Sequence, residues 1–288
     1  MTENTFELET AYQKGFLEND MELFYICTDS KFDFTYHYHD FYKLLIHIQG
    51  QVTYHIEGKD YALSPYDTLL ISPGEIHKPE VTRSSTYERI IAYISESFFE
   101  TLEKYDTCLK KCFEDAKKTK SHVVRFSSPS PEFAQIIDTM KSCYTPKLYG
   151  SELLKRIKLQ EYIILLNQNL QSDSHALLVP STANEKICEV IQYINENIHT
   201  NLSIPRIAES LYVHPSYLMH LFKKETGYTI GKYISEKRLF MANQLIADGK
   251  SITEACYLSG YQNYGTFYHA YKARYGSSPK SRKCSYQS

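Results

Sequence analysis

Three histidines, His37, His39 and His77, bring the same chemistry to one part of the chain. A neutral imidazole offers one lone pair, which can ligate zinc or another transition metal or accept a hydrogen bond. His37, His39, Phe41 and Lys43 share a face if their strand is continuous, because side chains alternate with period two. The Lys43 ammonium opposes a divalent cation and, while protonated, donates no lone pair. Three readings stay open: a metal site, histidines satisfied as structural residues, or a small-molecule site. The preferred one has Lys43, the three histidines and nearby Tyr36 recognising an anionic or polyhydroxylated molecule, with no metal and no cofactor.

A second set of residues occurs twice. The segment 202–283 reads LSIPRIAESLYVHPSYLMHLFKKETGYT and then SITEACYLSGYQNYGTFYHAYKARYGSSP. Each copy opens with a capping Ser, runs through a short amphipathic stretch and turns. Each then enters a second helix that ends at Gly227 or Gly276. Two short helices around a tight turn, the second ending in basic residues, is the plan of a major-groove reader. Leu218, Leu221 and Phe222 must face inward, which turns Ser216, Met219 and His220 outward as base-edge candidates. Lys223 and Lys224 fall where phosphates lie. In the second copy Phe267 and Tyr271 point inward; Gly265, Thr266 and His269 are the exposed counterparts, with Lys272 and Arg274 as phosphate candidates. None of the outward residues can make a bidentate Arg–guanine contact, so specificity leans on methyl contacts, water and DNA shape.

The elements that position these residues are legible. Between 21 and 95, short runs rich in Tyr, Ile, Val and Leu are bounded by Gly, Pro, Asp and Ser, predicting six or more antiparallel strands in a small barrel or jelly roll. Residues 96–116 read as a helix-rich link and 122–126 as a last strand. Ser130-Pro131-Glu132 starts a helix, and a second runs from Ser151 with Leu153, Leu154, Ile157, Ile164 and Leu165 largely on one stripe. Such faces pack on the barrel or pair with a second subunit. Residues 171–183 read as a linker. A leading helix over 185–198 and a long helix over 231–248 complete the chain. The expectation is an α+β protein: an antiparallel β-barrel (cupin or jelly-roll-like) with a helical hairpin, then an all-α domain. Its domains are 1–128, a helical dimerisation segment 129–172, a linker 173–184, and 185–288.

Charge separates the two ends. From Asn184 onward there are 13 Lys+Arg against 8 Asp+Glu, a net of +5, while residues 1–183 carry 19 basic and 26 acidic residues, a net of −7. Only the C-terminal part is suited to nucleic acid. No apolar run is long enough to cross a bilayer, and the N-terminus lacks the pattern of a secretion signal. Seven scattered cysteines without C-x-x-C spacing predict reduced thiols in a cytoplasmic protein. Acyl-transfer, phosphate-loop and dinucleotide motifs are absent, which argues against an enzyme.

The pattern Leu218-x-x-Leu221-Phe222-Lys223-Lys224-x-x-Gly227, then Arg238-Leu239, Gly260-Tyr261, Phe267-x-x-x-Tyr271-Lys272 and Gly276-x-Ser278-Pro279, resembles the DNA-binding domain of the AraC family of bacterial transcription regulators. Tyr261 stands where the family usually has Phe. His37-x-His39 followed by Pro73-x-x-x-His77 resembles the two cupin motifs, with Lys43 where an acidic ligand is expected. The resemblance implies a ligand-responsive regulator, with activation and a sugar-related effector as the family expectation. The expected partners are double-stranded promoter or operator DNA, a small-molecule effector, RNA polymerase and a second copy of the chain, and no membrane. The alternatives are a metal-dependent cupin enzyme fused to a DNA-binding domain, and a regulator whose barrel is a ligand-free interaction module.

Overall fold

Strand β2 (Tyr42–Gln49) organises the first half of the molecule, because both of its faces are buried. Leu44 and Ile46 point to one apolar cluster and Leu45 to another. Such two-sided burial reads as a nearly continuous apolar run rather than an alternating one. In this computed structural model the described residues are 17, 19–28, 34–82, 86–103, 108–126, 130–144, 149–172 and 182–281. They form two units, divided between Ala183 and Asn184.

The first unit is a two-sheet antiparallel sandwich. One sheet has the order β1 (Met21–Thr28), β7 (Tyr87–Ile94), β2, β5 (Thr68–Ile71) and β8 (Val123–Val124). The other runs β6 (His77–Val81), β3 (Val52–Ile56), β4 (Lys59–Ala62) and β9 (Thr182–Ala183). Val52, Tyr54, Ile56 and Tyr61 meet Leu45, Leu69, Ile91 and Tyr93 between the sheets. Strand β6 was not among the expected strands, since its Pro79 interrupts the pattern; Pro is tolerated there because β6 lies at a sheet edge. The two-residue β9 was also not expected.

Helices α1 (Glu96–Glu103), α2 (Lys111–Thr119), α3 (Pro131–Ser142) and α4 (Ser151–Ser172) supply the expected helix-rich link and hairpin. Residues from all four share one core with the outer face of the five-stranded sheet, so segment 129–172 belongs to the first unit. Helix α4 is apolar on two opposite sides. Leu159, Tyr162, Ile163 and Leu166 are buried, each contributing roughly 1.5–3 kcal/mol by leaving water. Leu153, Ile157 and Ile164, on the far side at about 100° per residue, stay exposed. The expected linker lies mostly outside the described residues, which resume at its end with β9.

The second unit is all helical: α5 (Glu185–Glu196), α6 (Ile204–Ser210), α7 (Pro215–Thr226), α8 (Ile230–Ala247), α9 (Ile252–Leu258) and α10 (Tyr264–Tyr275). The side chains of Ser203 and Ser251 cap α6 and α9, the latter within a full capping box with Glu254. Gly227 and Gly276 end α7 and α10 in the left-handed conformation. Gly260, at φ +94°, is required sterically, since a Cβ there would sit 2.3 Å from the Ile198 carbonyl oxygen. That carbonyl accepts from Arg238 Nε at 3.0 Å, fastening the second motif's turn to the long helix and the end of the leading helix.

Candidate functional site

The histidine site is built by a backbone bridge. His37 and His77 exchange N–H···O bonds of 3.1 and 2.9 Å, which brings the segment before β2 against the start of β6. The His37 and His77 rings lie 4.3 Å apart, and His39 and His77 4.9 Å apart. Each ring has one nitrogen on a backbone carbonyl: His37 Nδ1 on Thr35 at 2.9 Å, His39 Nδ1 on Phe41 at 2.6 Å and His77 Nδ1 on Glu75 at 2.9 Å. An Nδ1 facing a carbonyl oxygen must carry the hydrogen, which leaves Nε2 with a lone pair. The Nε2 atoms of His39 and His77 are buried and lack a hydrogen-bond partner.

Electrostatics keep both rings neutral. Burial pushes the His39 imidazole well below its ordinary value, followed by the Lys43 and His37 charges. His77 is lowered likewise, by burial first and then by His37 and Lys43. Lys43 is only 2% exposed, and its Nζ lies 5.8 Å from the Tyr54 ring and 5.9 Å from the Tyr93 ring. Among the described residues no group of three or more His, Cys, Asp or Glu side chains is disposed to hold a metal ion. With a buried ammonium acting on both rings, these residues do not fit a divalent cation.

Tyr36 packs toward His55 at 6.4 Å between ring centroids, with Lys78 Nζ 5.1 Å from its centroid. Alternation explains this, because residue 36 faces opposite to residue 37 around the His37–His77 bridge. The Arg274 side chain is 16% exposed, and its Nε lies 3.2 Å from Glu236 of α8. The expected run from 37 to 43 is broken, since β2 begins at Tyr42, yet His39, Phe41 and Lys43 are all buried.

Two buried polar residues inside the sandwich are not among the expected site residues. His47 and Arg89 face each other across β2 and β7, each fully buried. The Arg89 guanidinium stacks 4.1 Å from the Tyr87 ring centroid, and burial lowers the His47 pKa. Once the pairing is known, 43, 45 and 47 on β2, and 87, 89, 91 and 93 on β7, fall on one inward face.

In the helical unit, Ser216, Met219, His220, Lys223 and Lys224 are exposed on α7, and Gly265, Thr266, His269 and Lys272 on α10. His220 and His269 are each the sixth residue of their helix, so the two copies present them alike. Tyr217 and Tyr264, not predicted, are also exposed near the helix starts. Helix α8 joins the motifs and is about 27 Å long for its 18 residues.

Two helix-turn-helix motifs joined by one long helix, preceded in sequence by a β-sandwich, define the class of DNA-binding regulators with a separate N-terminal domain. Comparison with known proteins makes this specific. Residues 22–166, just over half of the chain, match the AraC-like ligand binding domain, and residues 207–282 match a helix-turn-helix domain. The chain belongs to the AraC family of transcription regulators. It is similar to the XylDLEGF operon transcriptional activator 1 of Pseudomonas putida, at 24% identity over 84% of this chain and 75% of that one. It is also similar to the lactose operon transcription activator of Staphylococcus xylosus, at 25% identity over 73% and 72% of the two chains. Among solved structures, ToxT of Vibrio cholerae aligns with 92% of this chain and 98% of its own, at 13% identity and a TM-score of 0.37.

Proposed function

We propose that this protein is a cytoplasmic transcription activator whose sandwich binds a small hydroxylated anion, such as a sugar acid, and whose two helix-turn-helix motifs read promoter DNA. The observation that carries the effector reading is the pair of buried, unpartnered Nε2 atoms on His39 and His77. A buried polar group without a partner costs roughly 1–3 kcal/mol. A ligand hydroxyl donating to such a lone pair recovers that cost. The buried Lys43 ammonium adds a preference for negative charge. The family match to a ligand-binding domain and the operon-activator names of the relatives support the same reading.

For DNA, Ser216, Met219, His220, Gly265, Thr266 and His269 are assigned to the major groove, and Lys223, Lys224, Lys272 and Arg274 to phosphates. RNA polymerase is the partner that activation requires. Residues 1–128 with the helices of 129–172 form the sensing part, 173–184 the linker, and 185–288 the DNA-binding part. The exposed Leu153, Ile157 and Ile164 on α4 are assigned to a homodimer interface. Dimerisation on tandem sites compensates for the short, apolar or imidazole groove-facing side chains.

The test is fluorescence anisotropy with duplex DNA from upstream of the chain's own coding sequence. The double variant His220→Ala, His269→Ala is expected to bind about tenfold or more weakly, at one salt concentration throughout. Lys223→Ala is expected to reduce the slope of log affinity against log salt by about 1. Unchanged binding by the double variant would remove the groove assignment.

A further inference from the structure

Strand β4 has β3 on one side, and its other edge would present unpaired N–H and C=O groups. That edge is taken by β9, two residues that immediately precede the DNA-binding unit, with Lys59 opposite Ala183 and Asp60 opposite Thr182. A side-chain bond reinforces the register: Thr182 Oγ1 donates to Asp60 Oδ2 at 2.9 Å. The other carboxylate oxygen, Asp60 Oδ1, lies 2.6 Å from His55 Nδ1, and His55 Nε2 lies 3.0 Å from Glu80 Oε2. The polar row Glu80–His55–Asp60–Thr182 thus crosses β6, β3, β4 and β9 in order. Next to it, Lys59 Nζ donates to the Lys120 carbonyl at 2.5 Å.

We propose that the outer edge of β4 is a docking site for the chain's own interdomain strand, that the Asp60–Thr182 bond is its latch, and that pairing or release sets the length of the tether into the DNA-binding unit. With β9 paired, Asn184, the N-cap of α5, follows directly on a residue held by the sandwich. With β9 released, residues 182 and 183 leave the sheet edge, and the connection into α5 lengthens. A two-residue pairing contributes few backbone bonds and belongs to the low-stability end of a structure, so one charge-assisted bond weighs heavily in it. Tyr36, whose ring neighbours His55, adjoins His37 of the His37–His77 bridge, which puts the candidate effector site within reach of the latch. That last link rests on the effector reading; the latch does not.

The test is hydrogen exchange by mass spectrometry on the full chain, following the amides of residues 182–184, with small-angle X-ray scattering on the same samples. Wild type is expected to protect these amides. Asp60→Ala is expected to speed their exchange about tenfold and Thr182→Val to act in the same direction, with β2 and β3 unchanged as the check on folding. Asp60→Ala is also expected to increase the maximum dimension in scattering. Facing residues of an antiparallel pair have Cα atoms about 4.5–5.5 Å apart, within disulfide range. Adding Lys59→Cys and Ala183→Cys, oxidised, to the Asp60→Ala chain is therefore expected to restore both the protection and the shorter dimension. Free-chain exchange rates at 182–184 in wild type would overturn the docking. Unchanged exchange in both Asp60→Ala and Thr182→Val would overturn the latch. Faster exchange without any change in scattering would overturn the tether claim. Tyr36→Ala is expected to speed exchange at 182–184; no effect would remove the link to the effector site and leave the latch standing.

Discussion

The sandwich and the helical unit deploy their polar chemistry in opposite ways. In the sandwich, His39, His77, Lys43, His47 and Arg89 are almost fully buried. In the helical unit, His214, His220, His269, Lys223, Lys224 and Lys272 stand on the surface of a duplicated scaffold. Buried polar groups lower stability unless something satisfies them, whereas exposed ones cost the fold little. The difference is the one expected if the sandwich holds the proposed effector inside and the helical unit meets the proposed DNA on its surface.

The largest expected effect sharpens what the helical scaffold needs. Gly260→Ala forces a Cβ to 2.3 Å from the Ile198 carbonyl oxygen, and a loss of about 3 kcal/mol or more is expected in urea unfolding of the full chain. Gly249→Ala, also at positive φ but with no atom within 4 Å, should lose only about 1 kcal/mol. Equal losses would show that backbone conformation, not the close approach, governs both positions.

Acidification should separate the two regions next. His39 and His77 have folded pKa values lowered well below 6.5, so the native state refuses protons that the unfolded chain accepts. Their contribution is therefore full above 6.5 and is lost as pH falls below it, by up to about 1.4 kcal/mol per pH unit for each ring. Thermal scans from pH 7.5 to 5 should show the sandwich transition falling more steeply than in a His39→Phe variant. Parallel slopes would contradict the burial of a neutral ring.

Lys43→Met should abolish any rise of the melting temperature on adding anionic ligands. The smallest effect is expected outside: His220→Ala and His269→Ala should each change stability by less than about 0.5 kcal/mol, whatever they do to DNA affinity.

The same contrast explains what was legible in sequence. Helices α6 to α10 announced themselves because their signals are local: capping Ser203 and Ser251, terminal Gly227 and Gly276, and apolar residues at helical spacing. The sandwich strands were legible as runs, but their neighbours were not. The His37–His77 bridge, which brings two distant histidines together, is invisible before the register is known. Arg89 and His47 were missed because strands buried on both faces lose the alternation that marks an inward residue. The Arg274–Glu236 pair joins residues 38 apart in sequence, which no local rule specifies. Helix α4 hid its two apolar sides for a related reason, since apolar residues on opposite sides cancel the one-sided pattern.

The most direct measurement is isothermal titration of the full chain at pH 7.5 with D-galacturonate, D-gluconate and tartrate, against D-galactose as the neutral counterpart of the first. At least one hydroxy acid is expected to bind tenfold or more tightly than D-galactose, and Lys43→Met to erase that preference. Binding of D-galactose as tight as that of any acid, no binding of any acid, or a preference for acids that survives in Lys43→Met would contradict the account.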